Sequence, residues 1–213
     1  ALPIYKAPIT GLGEGWWLSP ETVKKHPELK TALDVINRPD LFPHPEDKSK
    51  GAFVGCPAGW ACQLANANLF RAFEMEKKGW ILVDPGSKAG LDGSMSKAAE
   101  RGENWFGYYW APTSLIGKYN MKLMEFGVPF AGYENWNGCV AKGPEVCIDP
   151  KPSAWTKSIV QTVVTQEVKS MPNVMKYFSK RIFPGSIMNS MLVYMEDNQA
   201  QGADGAIEFL ENH

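Results

Sequence analysis

Gly55-Cys56-Pro57-Ala58-Gly59-Trp60-Ala61-Cys62 leads into the clearest helical pattern of the chain. Behind it Leu64, Ala67, Phe70 and Phe73 recur at helical spacing and Gly79 closes the run, so a helix is predicted over 61–78. Trp80–Val83 then reads as a short strand stopped by Asp84-Pro85-Gly86, and a second helix is expected over 88–101 although Gly90 and Gly93 weaken it. An aromatic strand over 104–110 and a short helix from Pro112 follow, with a further strand over 123–126. Strands alternating with helices imply an α/β layered fold rather than a bundle or a β-sandwich.

Outward from this centre, residues 1–18 read as an extended lead-in with a glycine-rich turn (Gly11, Gly13, Gly15) and an exposed Trp16-Trp17 pair. Ser19-Pro20-Glu21-Thr22 supplies an N-cap and a first-turn proline for a short helix limited by Pro27, and the proline-rich, charged stretch 37–50 reads as a loop. Beyond an irregular segment at 130–152, a β-branched strand is expected over 158–164. Amphipathic helices are expected around 173–182, 186–198 and 203–212. A lobe boundary is placed near Asp149-Pro150-Lys151-Pro152. The tail after it offers one strand and apolar helix faces with few strands to pack against, as if a partner sheet were missing.

With 213 residues, 44% of them hydrophobic, the chain can bury a substantial core. Its formal charge of −1 is spread along the whole chain without a basic run, which argues against nucleic acid as a partner. The apolar stretch 187–195 is interrupted by Asn189 and Ser190 and is too short to cross a bilayer, so a soluble protein is expected. No export signal precedes Ala1; it is absent or already removed. Cys56 with Cys62 and Cys139 with Cys147 form two local pairs among glycines and prolines, which suits disulfide loops in an oxidising compartment. A zinc site is the rival reading, but His26, His44 and His213 lie away from both pairs; buried thiols are the bland one.

Catalytic readings find little support. Gly11-x-Gly13-x-Gly15 resembles a dinucleotide loop only faintly, with Trp16 crowding the place of a pyrophosphate. No nucleophile elbow exists, and nothing selects a pair among 23 acids for glycoside hydrolysis. No catalytic residue, metal or cofactor is therefore expected. Binding is the better expectation, because eight tryptophans exceed what a core usually absorbs and each indole N–H needs a partner when buried. A loop closed at the start of the helix would point its first backbone N–H groups into the space beside the Trp60 ring. Helix N-termini favour anions and indole faces favour cations, so that one loop suits a zwitterion. In the aromatic strand, Phe106, Tyr108 and Trp110 share one face and Trp105, Gly107 and Tyr109 the other, with Trp110 at the carboxyl end where α/β sheets bind ligands.

The order Gly55-Cys-Pro-Ala-Gly-Trp-Ala-Cys62, helix, glycine-containing second helix, Trp105-Phe-Gly-Tyr-Tyr-Trp-Ala-Pro-Thr113 resembles the substrate-binding subunits of glycine betaine and proline betaine ABC importers, including relatives that take trimethylamine N-oxide. The resemblance covers residues 10–213. It implies a type II periplasmic-binding fold of two α/β lobes with a hinge, closing on ligand. Residues 1–152 would be the second lobe and its entry hinge, and 153–213 the returning part of the first. That first lobe would be incomplete, because family members carry a preceding segment with a further cage aromatic and a later C-terminal helix. The resemblance makes Trp60 and Trp110 walls of an aromatic cage and gives the Ala61 and Cys62 amides to a ligand carboxylate. Gly13-Glu14-Gly15-Trp16-Trp17 resembles the trimethylamine N-oxide type, which adds Glu14, Trp16 and Trp17 to the candidate ligand-binding residues, together with Tyr109. Glu14 is expected in a tight glycine turn facing the cage.

The resulting expectation is a periplasmic or extracytoplasmic receptor, not an enzyme. It would capture a small methylated ammonium osmolyte (glycine betaine, proline betaine or trimethylamine N-oxide) and deliver it to an ABC permease in the membrane. The alternative from another class is a secreted carbohydrate-active protein stacking sugars on its tryptophans.

Overall fold

The computed structural model describes residues 8–213; the first part of the extended lead-in lies outside the described residues. The strands are β1 (Ile9–Thr10), β2 (Gly13–Leu18), β3 (Gly51–Val54), β4 (Trp80–Val83), β5 (Phe106–Ala111), β6 (Lys122–Leu123) and β7 (Phe183–Pro184). The helices are α1 (Pro20–Lys25), α2 (Ala32–Ile36), α3 (Ala61–Ala72), α4 (Lys88–Glu100), α5 (Ser114–Tyr119), α6 (Gly132–Asn135), α7 (Gln166–Lys169), α8 (Pro172–Lys180), α9 (Gly185–Asp197) and α10 (Gly202–Asn212). By its internal contacts the chain divides into two units. One holds Glu14–Tyr109 and Tyr119–Thr156, the other the described residues up to Gly13, Trp110–Lys118 and Lys157–His213. The path thus passes between units four times.

The larger unit is built on a five-stranded sheet in the order β4-β3-β5-β2-β6. β3 runs parallel to β4 from Gly51 opposite Trp80 to Val54 opposite Val83, and parallel to β5 at Val54 and Gly107. Gly107 is required there: a Cβ would lie 2.6 Å from the Val54 carbonyl oxygen and 2.8 Å from the Trp105 ring. β6 closes the other edge antiparallel to β2. The sequence reading passed over β3 and extended β6 to Phe126.

One face of the sheet is packed around Trp16, whose ring centroid lies 4.7–5.7 Å from those of Phe53, Phe73, Phe106 and Phe126. This settles the Trp16-Trp17 pair against the expectation of exposure. β5 and β6 take the two edges of β2, residues on both faces of the strand are buried, and the two indoles are 0% and 4% exposed. Trp16 donates its N–H to Asn66 Oδ1 and Trp17 to the Tyr109 carbonyl, both at 2.8 Å.

α3 begins where the sequence placed it but ends at Ala72, earlier than the predicted Lys78. Glu74 turns into the left-handed region at φ 53°, its N–H bonds to the Arg71 carbonyl at 2.9 Å, and the Met75 N–H bonds to the Phe70 carbonyl at 3.0 Å. These two bonds make a Schellman C-cap with glutamate in the position glycine usually takes. Met75 then drops into the core with no exposure and leads into β4.

The smaller unit carries β1 and β7 as a two-residue parallel pair, with α8, α9 and α10 close to where the sequence put its helices and the short α7 added before them. Asn189 Oδ1 accepts the Thr113 N–H at 3.1 Å, and Lys118 pairs with Asp197 at 3.1 Å. The stretch 158–164, read as a strand, lies outside any strand or helix, with Ile159 and Val163 exposed. A β-branched pattern makes a strand only where a neighbouring strand receives it.

Candidate functional site

Both local cysteine pairs are disulfides, Cys56–Cys62 and Cys139–Cys147, which removes the zinc and thiol readings. The first ties the loop before α3 to the first turn of the helix. Gly59 holds φ 84° in this loop and donates its N–H to Gln63 Oε1 at 2.9 Å; Trp60 follows as the N-cap residue in extended conformation. Trp60 supplies no side-chain cap and the first turn holds no acidic residue. The Ala61 and Cys62 N–H groups accordingly meet no acceptor among the described residues. Trp60 itself is 37% exposed, unlike the core indoles. An uncapped helix start with an exposed indole at its rim offers partial positive charge and a π face together.

α3 is held in place by polar side chains on its length. Asn66, 1% exposed, receives the Trp16 N–H and donates to the Cys62 carbonyl at 2.9 Å. Asn68 Nδ2 donates to the Val140 carbonyl at 3.1 Å and the Lys142 carbonyl at 2.8 Å, while Arg71 reaches the carbonyls of Cys147 (3.0 Å) and Ile148 (2.7 Å). The helix is thereby braced against the second disulfide loop.

Glu14 lies within β2, not in a tight turn; the turn is at Gly11, and Gly15 extends the strand at φ 153°, which favours glycine. Its carboxylate accepts a hydrogen bond from the Tyr108 hydroxyl at 2.8 Å. Burial first, then the Glu14 charge and the hydrogen bond to it, raise the Tyr108 pKa well above the ordinary tyrosine value, so the phenol is a fixed donor. The Tyr108 ring lies 5.5 Å from Trp155, and Trp155 meets Trp136 edge-to-face at 5.2 Å. Phe130 and the exposed Tyr133 continue this aromatic run to the surface.

The candidate residues thus separate. The Ala61 and Cys62 amides and one Glu14 oxygen meet no partner among the described residues, and Trp60 is part-exposed. Trp110, at the end of β5, is half-buried. Trp16 and Trp17 are corrected to core residues, and so is Tyr109, which has no exposure and donates its hydroxyl to Asp92 Oδ1 at 2.7 Å. Tyr108 was placed only on the strand face it shares with Phe106 and Trp110; Trp155 and Trp136 were not singled out by sequence, because Pro152-Ser-Ala-Trp155 carries no motif and only the fold brings Trp155 over β5. A cleft of about 530 Å³ in the smaller unit, lined by Ile9, Val160, Arg181, Phe183 and Phe209 among others, contains none of the candidates. Among the described residues no helix is long and apolar enough to cross a membrane.

Residues 8–212 match the family described as the substrate-binding domain of ABC-type glycine betaine transport systems, and the chain belongs to that family. No curated protein matches the chain by sequence. Among solved structures, a glycine betaine/carnitine/choline ABC transporter protein is similar with a TM-score of 0.59 at 13% identity, over 99% of this chain and 63% of its own. A choline-binding protein of an ABC transporter, in complex with choline, gives 0.54 at 14% identity over 99% and 63%. The lactococcal OpuAC complexed with glycine betaine gives 0.53 at 14% over 100% and 66%. These likenesses establish a mixed α/β fold of the type II periplasmic-binding kind. The chain spans about 63% of the length of the first of these structures.

Proposed function

We propose that this protein is the extracytoplasmic solute-binding component of an ABC importer and takes a small methylated ammonium compound carrying an oxygen anion. The observation that carries the reading is the start of α3. There two helix amides without acceptors among the described residues and the 37% exposed Trp60 ring stand at one disulfide-closed turn. A quaternary or tertiary methylated nitrogen has few strong hydrogen bonds to give, so its recognition depends on aromatic faces, worth roughly 0.5–2 kcal/mol each. Trp60 and Trp110 supply such faces in this reading, and the Ala61 and Cys62 amides take the anionic end.

Glu14 then decides the ligand class. With one oxygen held by Tyr108, its other oxygen accepts a proton-bearing amine oxide and repels a betaine carboxylate, which favours trimethylamine N-oxide over glycine betaine and proline betaine. The unit built on the five-stranded sheet corresponds to the second lobe, and the unit holding Lys157–His213 to the returning part of the first. The receptor carries out no chemistry and hands its ligand to a membrane permease.

Calorimetric titration of the full chain with trimethylamine N-oxide, glycine betaine, proline betaine, choline and a panel of sugars tests this. Binding of at least one methylated ammonium compound and of no sugar is expected. Sugar binding with no response to any ammonium compound overturns the reading.

A further inference from the structure

A tryptophan that serves only as packing hands its N–H to a protein acceptor, because a buried donor left without one is costly. Four tryptophans here obey this rule. Trp16 and Trp17 do so as described, Trp80 donates to the Ile36 carbonyl at 2.8 Å, and Trp105 donates to Ser94 Oγ at 3.1 Å. Trp155 departs from it. It is only 8% exposed, yet its N–H meets no acceptor among the described residues, and the nitrogen is not sealed from solvent.

Trp155 is also held firmly. Ser153, with no exposure, accepts the Ala131 N–H at 3.0 Å and donates to the Ala154 carbonyl at 2.8 Å, and the Ala154 N–H reaches the Pro129 carbonyl at 3.2 Å. A Cβ placed on Gly15 of β2 would be 3.6 Å from the Trp155 Cβ, so Trp155 packs against β2 at the residue that follows Glu14. Its ring packs on Tyr108, the residue that donates to Glu14. The phenol is spent on the carboxylate; the neighbouring indole N–H is not.

We infer that Trp155 is a specificity-determining residue whose N–H donates to the anionic oxygen of the ligand, alongside the Glu14–Tyr108 pair. The inference rests on the methylated-ammonium reading and deepens it. A protonated amine-oxide oxygen donates its O–H to Glu14 and accepts from the indole at the same time; a betaine offers a carboxylate oxygen to the same donor. A methylated ammonium ion without oxygen gains nothing from it. Trp136 also lacks an acceptor among the described residues, but its ring lies beyond Trp155, toward Phe130, and serves as the internal control.

The test compares trimethylamine N-oxide, glycine betaine and tetramethylammonium as calorimetric ligands of the wild type, Trp155→Phe and Trp136→Phe. Phenylalanine keeps an aromatic ring on Tyr108 and removes the donor. Trp155→Phe is expected to weaken the two oxygen-bearing ligands by about tenfold or more, the scale of one hydrogen bond to a charged group, and to leave tetramethylammonium within about twofold. Trp136→Phe should change none of them beyond about twofold, in keeping with a ring that donates to no ligand. Nitrogen-15 spectra of wild-type indole groups provide a readout independent of how the variants fold: the Trp155 N–H resonance should shift downfield with the oxygen-bearing ligands alone. Equal weakening of all three ligands, or a Trp155 resonance that ignores ligand oxygen, overturns the assignment while leaving the binding function standing. A wild type that binds none of the three overturns the reading beneath it as well.

Discussion

The Tyr108 hydroxyl donates to Glu14 Oε1 at 2.8 Å, joining β5 to β2 beneath Trp155. The second carboxylate oxygen makes no hydrogen bond among the described residues. A half-buried carboxylate beside aromatic rings, with one oxygen fixed and one open, is arranged to accept from a ligand rather than to stabilise the sheet.

Glu14→Gln keeps an oxygen for Tyr108 and removes the charge. Trimethylamine N-oxide affinity should fall by about tenfold or more, since a hydrogen bond to a charged group is worth roughly 1.5–3 kcal/mol. Glycine betaine affinity should hold or improve as carboxylate repulsion is relieved. Calorimetry of the two ligands decides it, and a parallel response to both removes Glu14 from the selection.

Trp60 and Trp16 should behave as opposites. Trp60→Ala removes a ring that is 37% exposed, so methylated-ammonium affinity should drop at least tenfold, by about 1.4 kcal/mol or more, with little change in melting temperature. Trp110→Ala should match it in binding. Trp16→Ala empties the centre of the aromatic core and leaves Asn66 without its donor, and should cost about 3–5 kcal/mol of stability by urea denaturation. Unchanged affinity in both Trp60→Ala and Trp110→Ala would sink the cage.

The contrast shows what the sequence made legible. Gly55-Cys-Pro-Ala-Gly-Trp-Ala-Cys62 announced a closed turn and a helix start, because glycine, proline and paired cysteines act locally, and both disulfides and the onset of α3 follow. The Trp16-Trp17 pair was misread because exposure depends on neighbours remote in sequence: Phe53, Phe73, Phe106 and Phe126 close over Trp16, and the Tyr109 carbonyl receives the Trp17 N–H. β3, four residues between a charged loop and a turn, is too short for period-two alternation to register. The stretch 158–164 erred the other way, its β-branched residues finding no ladder among the described residues. Trp155 could not be found at all without coordinates, since its distinction is an N–H that lacks an acceptor on a ring packed against Tyr108, the donor to Glu14.

The brace between α3 and the second disulfide loop should be strongly coupled. Asn68, 2% exposed, is the donor to carbonyls of residues 140 and 142, so Asn68→Ala leaves them without it and should destabilise the protein by about 1–3 kcal/mol. Replacing Cys139 and Cys147 by serine should cost about 2–3 kcal/mol alone, with the combined variant losing less than the sum because both changes loosen one loop. Urea denaturation of the four proteins gives the coupling; strict additivity would mean that the loop and the helix are held independently.

Alkaline stability offers a test of the Tyr108–Glu14 pair that needs no ligand. The Tyr108 pKa is raised by burial first and by the Glu14 carboxylate second. Below about pH 10, the unfolded-state value for tyrosine, the phenol keeps its proton in both states and its contribution to stability is complete. As pH climbs further, the unfolded chain releases this proton while the folded protein retains it. Stability then declines by up to about 1.4 kcal/mol per pH unit from this one group. Tyr108→Phe abolishes that component, and tyrosines elsewhere titrate alike in both proteins. Between pH 9 and 11 the unfolding free energy of the wild type should therefore fall more steeply than that of Tyr108→Phe, measured by urea denaturation at closely spaced pH. Identical slopes would mean that Tyr108 ionises as an ordinary surface phenol, and that the hydrogen bond to Glu14 is not maintained in solution.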